Sequence, residues 1–461
     1  MDNSRIDPWG SDHDTNYDRV SSRFGLDGIN LEDLSNPGML HTRGLIFAHR
    51  DLDVIMHANR RGSPFGVLTG LMPSGKMHLG HTMVIEQAKW YQSLGADVTV
   101  AVADLESLAT RAVPLEKGRQ VALEEYVSNY AAMGLDPEKT SVYFQSSRPE
   151  VQRLGFTLGR RTNLSELGSI YGFEGNTNLA HVQAPLVQVG DILHPMLDKF
   201  GGLRPVVVPV GVDQDPHIRL TRDIVSKSQW FNVRKSKNGG ILISLSIQPE
   251  NHRAFGVKQN LSVDKSERSK IISKIEHLVS SMGFSDIQTN PKHGTITIHA
   301  GTAHDVNDLR LELCKLEREL GGIGLLPPSS SYHKFAIGLD GGKMSSSKPE
   351  TTIFLNESIE TMKRKIMKAH SGGKSTVEEH RRLGGDLETD VAFQYLKFFF
   401  EKDDAELTKI AKDYTSGKTL AGEMKKLCAQ QAEIWMNELT EKRAQWSDKI
   451  SDFLAYDAIQ S

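Results

Sequence analysis

Residues 65–81 read FGVLTGLMPSGKMHLGH, and the fold of the chain follows from them. The apolar run Phe65–Thr69 leads into Gly70-Leu71-Met72-Pro73-Ser74-Gly75. Helical spacing then begins at His78, with Leu79, Met83, Ile85, Ala88 and Trp90. Strand, glycine-rich turn and helix in that order open a βαβ unit. The next apolar run, Ala96–Ala103, alternates valine with small residues and suits a strand buried on both faces. Helical pattern resumes over Leu115–Met133, Ser141–Phe144 reads as a third strand, and Pro205–Val212 (PVVVPVGV) as a fourth. Strands alternating with helices predict an α/β fold built on a doubly wound parallel sheet. Ligands then sit at the carboxyl ends of its strands.

Outward from this core the organisation changes twice. Residues 1–61 mix turn formers with short helical patterns and read as an N-terminal extension; 62–233 hold the first part of the sheet. Within 234–326, Arg234–Gly240 looks like a loop and Ile241–Ile247 alternates as a strand. Ile271, Ile275, Leu278 and Met282 mark a helix, Thr295–His299 another strand, and Leu309, Leu313, Leu316 and Leu320 a second helix. That block reads as a small inserted α+β domain, and the basic Arg234-Lys235-Ser236-Lys237 where it begins points to an accessory RNA or partner contact. Residues 327–357 return to the sheet, and 358–461 are helical throughout, an all-α domain.

Composition sets the outer limits. The 461 residues include 38% hydrophobic and 25% charged, with 55 basic against 58 acidic residues, so no basic field covers the whole chain. A local basic patch can still bind phosphates. Two cysteines, Cys314 and Cys428, form no CxxC, which excludes a disulfide framework and a cysteine zinc site and suits a reducing cytoplasm. The polar start MDNSRIDPWG has no apolar leader segment, and no apolar run reaches membrane-spanning length. A cytoplasmic protein with no membrane association is the expectation.

Two motifs carry the chemistry. His78-Leu79-Gly80-His81 stands where strand passes into helix, with its histidines three apart and so on one helical face. Gly80 leaves room for a flat or bulky ligand, and the helix start supplies free N–H groups for an anion. The second motif is Lys343-Met344-Ser345-Ser346-Ser347, preceded by Gly341-Gly342 and followed by Lys348-Pro349. This loop presents lysines and hydroxyls, a phosphate-binding set. Five fixed letters of this kind seldom arise by chance.

In that order, flanking a parallel sheet, the two motifs resemble the HIGH and KMSKS signatures of class I aminoacyl-tRNA synthetases, whose catalytic domain is Rossmann-like. The resemblance extends to the tryptophanyl-tRNA synthetases of archaeal and eukaryotic type. It rests on Asp7-Pro8-Trp9, on Asn16-Tyr17-Asp18 with Arg23-Phe24-Gly25, on Arg43-Gly44 with Ala48-His49-Arg50-Asp51, and on Asp213-Gln214-Asp215-Pro216-His217 with Thr221-Arg222-Asp223. It continues in Ser371-Gly372-Gly373, Glu378-Glu379-His380-Arg381, Gly384-Gly385 and Asp413-Tyr414-Thr415-Ser416-Gly417. It covers most of the chain outside 234–326.

The resemblance implies a tryptophan–tRNA ligase, with a tyrosine–tRNA ligase of the same subclass as the alternative. Its partners would be ATP, L-tryptophan and tRNA(Trp), with Mg²⁺ carried on the ATP phosphates and the chain a homodimer. His78, His81 and Lys343 would be catalytic. Gly70, Pro73, His78, Gly80, His81, Lys343, Met344, Ser345, Ser346 and Ser347 would contact ATP, and no dedicated metal ligands are implied. Leu68, Glu106, Gln188, Asp191 and Gln214 would surround tryptophan. Leu68 and Ala101 stand where eukaryotic enzymes have polar indole partners, so Asp191 becomes the expected acceptor of the indole N–H. A helix cap at Asp191 is the plainer alternative. Lys374, His380, Arg381 and Arg382 would contact tRNA.

Overall fold

A computed structural model describes residues 17–236, 239–246 and 265–460. The Asp7-Pro8-Trp9 segment, Asn16, Lys237 and Ile247 lie outside the described residues. Eleven strands are described, in two sheets. They are β1 (Asp27–Gly28), β2 (Ile46–Arg50), β3 (Gly66–Leu71), β4 (Asp97–Val102), β5 (Thr140–Phe144), β6 (Val206–Gly211), β7 (Phe231–Lys235), β8 (Ile241–Leu245), β9 (Ile287–Asn290), β10 (Thr295–Ile298) and β11 (Ser329–His333).

The larger sheet runs β1-β2-β11-β6-β3-β4-β5. Its five strands from β11 to β5 are parallel. Val67, Val98, Val100, Val142, Val206 and Val207 are buried, as double-sided packing of a parallel sheet demands. One face rests on the Leu79–Ser93 helix and its neighbours, the other on the helices Leu179–Leu193 and Asp215–Ser228. The leading residues are more than an extension. Ile46–Arg50 pairs antiparallel with β11, and Asp27–Gly28 with β2, so the sheet is mixed at that edge. Leu45, Ile46 and Ala48 are buried there, and the apolar spacing was too short to read as a strand.

Strand order places the site. The chain winds from β3 through β4 to β5 on one side, and from β6 to β11 on the other. β3 and β6 pair only at Gly66↔Val206 and Val67↔Val207. Beyond that point their carboxyl ends diverge and open a crevice, the switch point of a doubly wound sheet.

The smaller sheet, β7-β8-β10-β9, is antiparallel throughout. It packs on the helices Lys265–Ser281 and Ala303–Glu319 through Ile243, Ile271, Ile275, Leu309 and Leu313. Its first strand differs from the expected loop at 234–240. Phe231 and Val233 point inward while Asn232, Arg234 and Lys235 stay exposed, and the charged pair masked that alternation. Buried Glu317 accepts the backbone N–H groups of Trp230 (3.0 Å) and Gly324 (3.0 Å), tying both ends of this unit to one carboxylate.

Helices Ile359–Met367, Val377–Leu383, Asp404–Thr415 and Ala421–Trp446 follow. The chain then turns back to β5: Leu454 bridges Val142 in parallel, and Ala455 N–H donates to the Val142 carbonyl at 2.8 Å. An otherwise bare sheet edge is covered in this way.

Candidate active site

A cavity of about 520 Å³ occupies the β3/β6 crevice, a size ordinary for a small-molecule site. Its walls include both motifs, which lie 265 positions apart in the chain (His78 to Lys343).

At one end, His78 is the N-cap of the Leu79–Ser93 helix rather than part of it. Its Nδ1 accepts Gly80 N–H at 3.1 Å, and His81 Nδ1 accepts His78 N–H at 3.0 Å. The rings lie 3.9 Å apart. With both Nδ1 atoms occupied as acceptors, each neutral imidazole carries its proton on Nε2. Burial, then the neighbouring His81 and Lys343, pushes the His78 pKa well down, and burial lowers that of His81 to about 4. Near neutral pH the pair therefore offers two Nε2–H donors and no charge. A Cβ at Gly80 would stand 2.9 Å from His78 Cε1, so any larger residue there would have to displace the His78 ring.

Opposite, Met344 anchors the second motif: its side chain is buried and its N–H donates to Ala336 at 2.9 Å. Lys343 Nζ lies 3.2 Å from Asp213 Oδ2 and 4.1 Å from the centre of the Phe335 ring. Ser346 and Ser347 are exposed beside it, and the Ser345 and Ser347 hydroxyls are 2.9 Å apart. A lysine, three hydroxyls and two imidazole donors facing one cavity form a polyanion cradle.

The other end is more enclosed. Asp191, on the Leu179–Leu193 helix, is 2% exposed. Tyr143 O–H donates to its Oδ1 at 2.6 Å and Gln145 Nε2–H to its Oδ2 at 2.6 Å. Burial outweighs these bonds and raises its pKa to about 7. Gln188 Oε1 is buried with no hydrogen-bond partner, a polar atom that a bound cationic group would satisfy. Leu68, Glu106 and Gln214 complete this end.

All the residues expected around ATP and the amino acid line the cavity except Pro73. That proline lies 3.4 Å from where a Cβ of Gly118 would stand, so it shapes the turn. Sequence reasoning missed Gln145, Arg111, Tyr126, Asp213 and Phe335. Gln145 carried a usable signal, a polar residue just past the carboxyl end of a parallel strand. Tyr126 holds the glycine-rich turn through the carbonyls of Met72 (3.1 Å) and Gly75 (2.9 Å), and nothing local announced that role.

Residues 60–241 and 307–437 match the family model described as tRNA synthetases class I (W and Y). The chain belongs to this family. A tryptophan–tRNA ligase of Thermoplasma volcanium is 37% identical over 97% of this chain and 99% of its own. That of Methanosarcina acetivorans is 36% identical over 98% of each. The crystal structure of the tryptophanyl-tRNA synthetase from Aeropyrum pernix K1 superposes with a TM-score of 0.72 at 32% identity, covering 98% of this chain and 99% of that one. The family model skips 242–306, but these relatives run through the smaller sheet, so that unit is shared with them.

Within this class I chain, the helical region corrects part of the expected RNA surface. His380 is buried: its Nε2 donates to Thr419 O at 2.9 Å, and its Nδ1 accepts Lys374 N–H at 3.4 Å. Arg381 donates to the carbonyls of Gly417 (2.9 Å) and Lys418. His380 thus pins the turn after Thr415 instead of facing outward, because that turn leaves carbonyls in need of donors; Arg381 bonds the same turn but stays exposed. Lys374 and Arg382 remain exposed. Among the described residues no group of three or more His, Cys, Asp or Glu is placed to hold a metal ion. No described helix is long and apolar enough to cross a membrane.

Proposed function

We infer that this class I synthetase is a tryptophan–tRNA ligase. It activates L-tryptophan with ATP and transfers the aminoacyl group to the 3′-terminal ribose of tRNA(Trp). The observation that carries the reading is one continuous cavity joining the histidine pair, the lysine–serine loop and the buried Asp191. The tyrosine alternative has no matching support: Leu68 offers no hydrogen bond where a phenol would need one, and the relatives named above are tryptophan enzymes.

In the first step the tryptophan carboxylate attacks the α-phosphorus in line, and pyrophosphate departs. The Nε2–H groups of His78 and His81 donate to phosphate oxygens as their charge grows, each bond to a charged group contributing about 1.5–3 kcal/mol. Lys343 exchanges Asp213 for the departing phosphates, and Ser345–Ser347 close over them. Gln188 accepts from the α-ammonium, Gln214 lies against the same end, and Asp191 accepts the indole N–H. No covalent enzyme intermediate is needed; positioning and electrostatics suffice. Magnesium enters with the nucleotide as part of the substrate.

Residues 62–233 and 327–357, joined by the edge strands of 27–50, form the catalytic domain, 234–326 an accessory unit, and 358–461 the anticodon-reading domain, with Lys374, Arg381 and Arg382 on its RNA face. The enzyme works as a homodimer. Phe156, Leu164 and Leu179, on three successive α-helices, are 84%, 65% and 79% exposed, apolar side chains that a second subunit would cover. Buried free Cys314 and Cys428 suit the cytoplasm.

Amino-acid-dependent exchange of pyrophosphate into ATP tests the reading. Tryptophan should support exchange and tyrosine should not. Exchange with tyrosine, or with no amino acid, would overturn it.

A further inference from the structure

Behind Asp191 lies a chain of contacts that starts in the last helix of the protein. Asp457 grips the Arg148 guanidinium with both oxygens, Nε at 2.7 Å and Nη2 at 2.8 Å, the paired geometry that fixes a guanidinium plane. Arg148 is 3% exposed. Two routes lead from it to Asp191.

In the first route, its guanidinium carbon lies 3.9 Å from the centre of the Tyr143 ring, whose hydroxyl donates to the Asp191 carboxylate. In the second, Arg148 Nη1 meets His194 Nε2 at 3.1 Å. A guanidinium only donates, so this Nε2 accepts and the His194 proton sits on Nδ1. From there it is given to the backbone carbonyl of Asp191 at 2.8 Å. Burial, then Arg148, lowers the His194 pKa to about 3, so the ring stays neutral and keeps that tautomer. Asp457 is brought to this place by residues 453–458. Leu454 extends the free edge of β5, Phe453 and Ala458 are fully buried, and Arg119 holds the Ala458 carbonyl.

We propose that Asp457 is a positioning residue for amino-acid recognition. By orienting Arg148, it fixes the side chain of Asp191 through Tyr143 and its backbone through His194, so the indole pocket is complete only when the C-terminal helix is docked on β5. The helical RNA-reading region thereby contributes a structural element of the tryptophan site. This proposal rests on the reading of Asp191 as the indole acceptor.

The test uses the full-length chain and pyrophosphate exchange, with KM measured separately for tryptophan and ATP. Asp457→Asn should raise the KM for tryptophan about tenfold or more, as a small misplacement of a recognition group does. The KM for ATP should stay within about twofold, because the nucleotide end lies across the cavity from this relay. Asp457→Glu, which keeps the charge, should recover most of the loss. Arg148→Lys keeps charge but loses the paired grip and the stack, and should behave like Asp457→Asn; it decides the matter if Asp457→Asn does not fold.

An unchanged tryptophan KM would overturn the proposal, as would proportional losses for both substrates, which mark mere destabilisation. Asp191→Asn, measured alongside, separates two failures. If it loses tryptophan while Asp457→Asn does not, the relay is wrong and the pocket stands. If it loses nothing, the pocket reading fails and the relay with it.

Discussion

Tyr143 donates its phenolic hydrogen to Asp191 across 2.6 Å, inside a pocket that leaves the aspartate only 2% exposed. With Gln145 on the second oxygen, the carboxylate has two neutral donors and no cation. These bonds offset only part of the burial cost, and each oxygen keeps a lone pair for a further donor. The pocket thus holds a hydrogen-bond acceptor that is positioned before the substrate arrives.

Replacing that acceptor should have a large and selective effect. Asp191→Asn should lower kcat/KM for tryptophan by about 2–4 kcal/mol, the cost of a lost buried charge-assisted bond. The KM for ATP should hardly move. Steady-state exchange kinetics with each substrate varied in turn checks both.

The pH dependence follows from the same group. Its pKa stands at about 7, raised from an ordinary 3.8 chiefly by burial. Above about pH 7 the carboxylate is charged and accepts most strongly, so the KM for tryptophan should rise as pH falls through that value. Stability runs the other way. Between the two pKa values the folded state binds a proton that the unfolded state lacks, so this contribution is present below 3.8 and lost as pH rises through about 7. Asp191→Asn should flatten both profiles, read by kinetics and by thermal melts across pH 4–8.

The nucleotide end behaves differently. His81, held near a pKa of 4 by burial, stays neutral through pH 5–8 in the free enzyme, so no imidazole limb should appear in that range. His81→Ala should lower kcat for exchange by about 10²–10³, the usual loss for one preorganised donor to a developing charge, with the KM for tryptophan nearly unchanged.

Association can be tested apart from chemistry. Phe156→Asp puts a charge on the most exposed of the large apolar side chains described. The parent chain should run as a dimer by light scattering at low micromolar concentration, and the variant as a monomer.

How far the sequence could be read depends on the range of each interaction. Local patterns announced β3, β4, β5 and β6, because alternating valines between glycines have few other uses. They also announced both motifs, whose chemistry is carried by adjacent residues. Ile46–Arg50 escaped notice because five residues with a histidine and an arginine have no clear period; their partner strand lies 280 residues later. His380 read as part of a basic surface because nothing nearby revealed the Thr419 carbonyl that it satisfies. Tyr143 and Gln145 were invisible as supports of Asp191, which stands 48 and 46 positions away. Contacts made across the fold leave no local trace.

A crystal structure with a non-hydrolysable tryptophanyl-adenylate analogue addresses the central claim most directly. The indole nitrogen should lie about 2.7–3.2 Å from an Asp191 oxygen, with the phosphate oxygens beside His78 and His81 and the Lys343 loop closed over that end. An indole nitrogen bonded to Glu106 with Asp191 untouched would contradict the account. So would a nucleotide that leaves the histidine pair and the lysine–serine loop without a shared ligand.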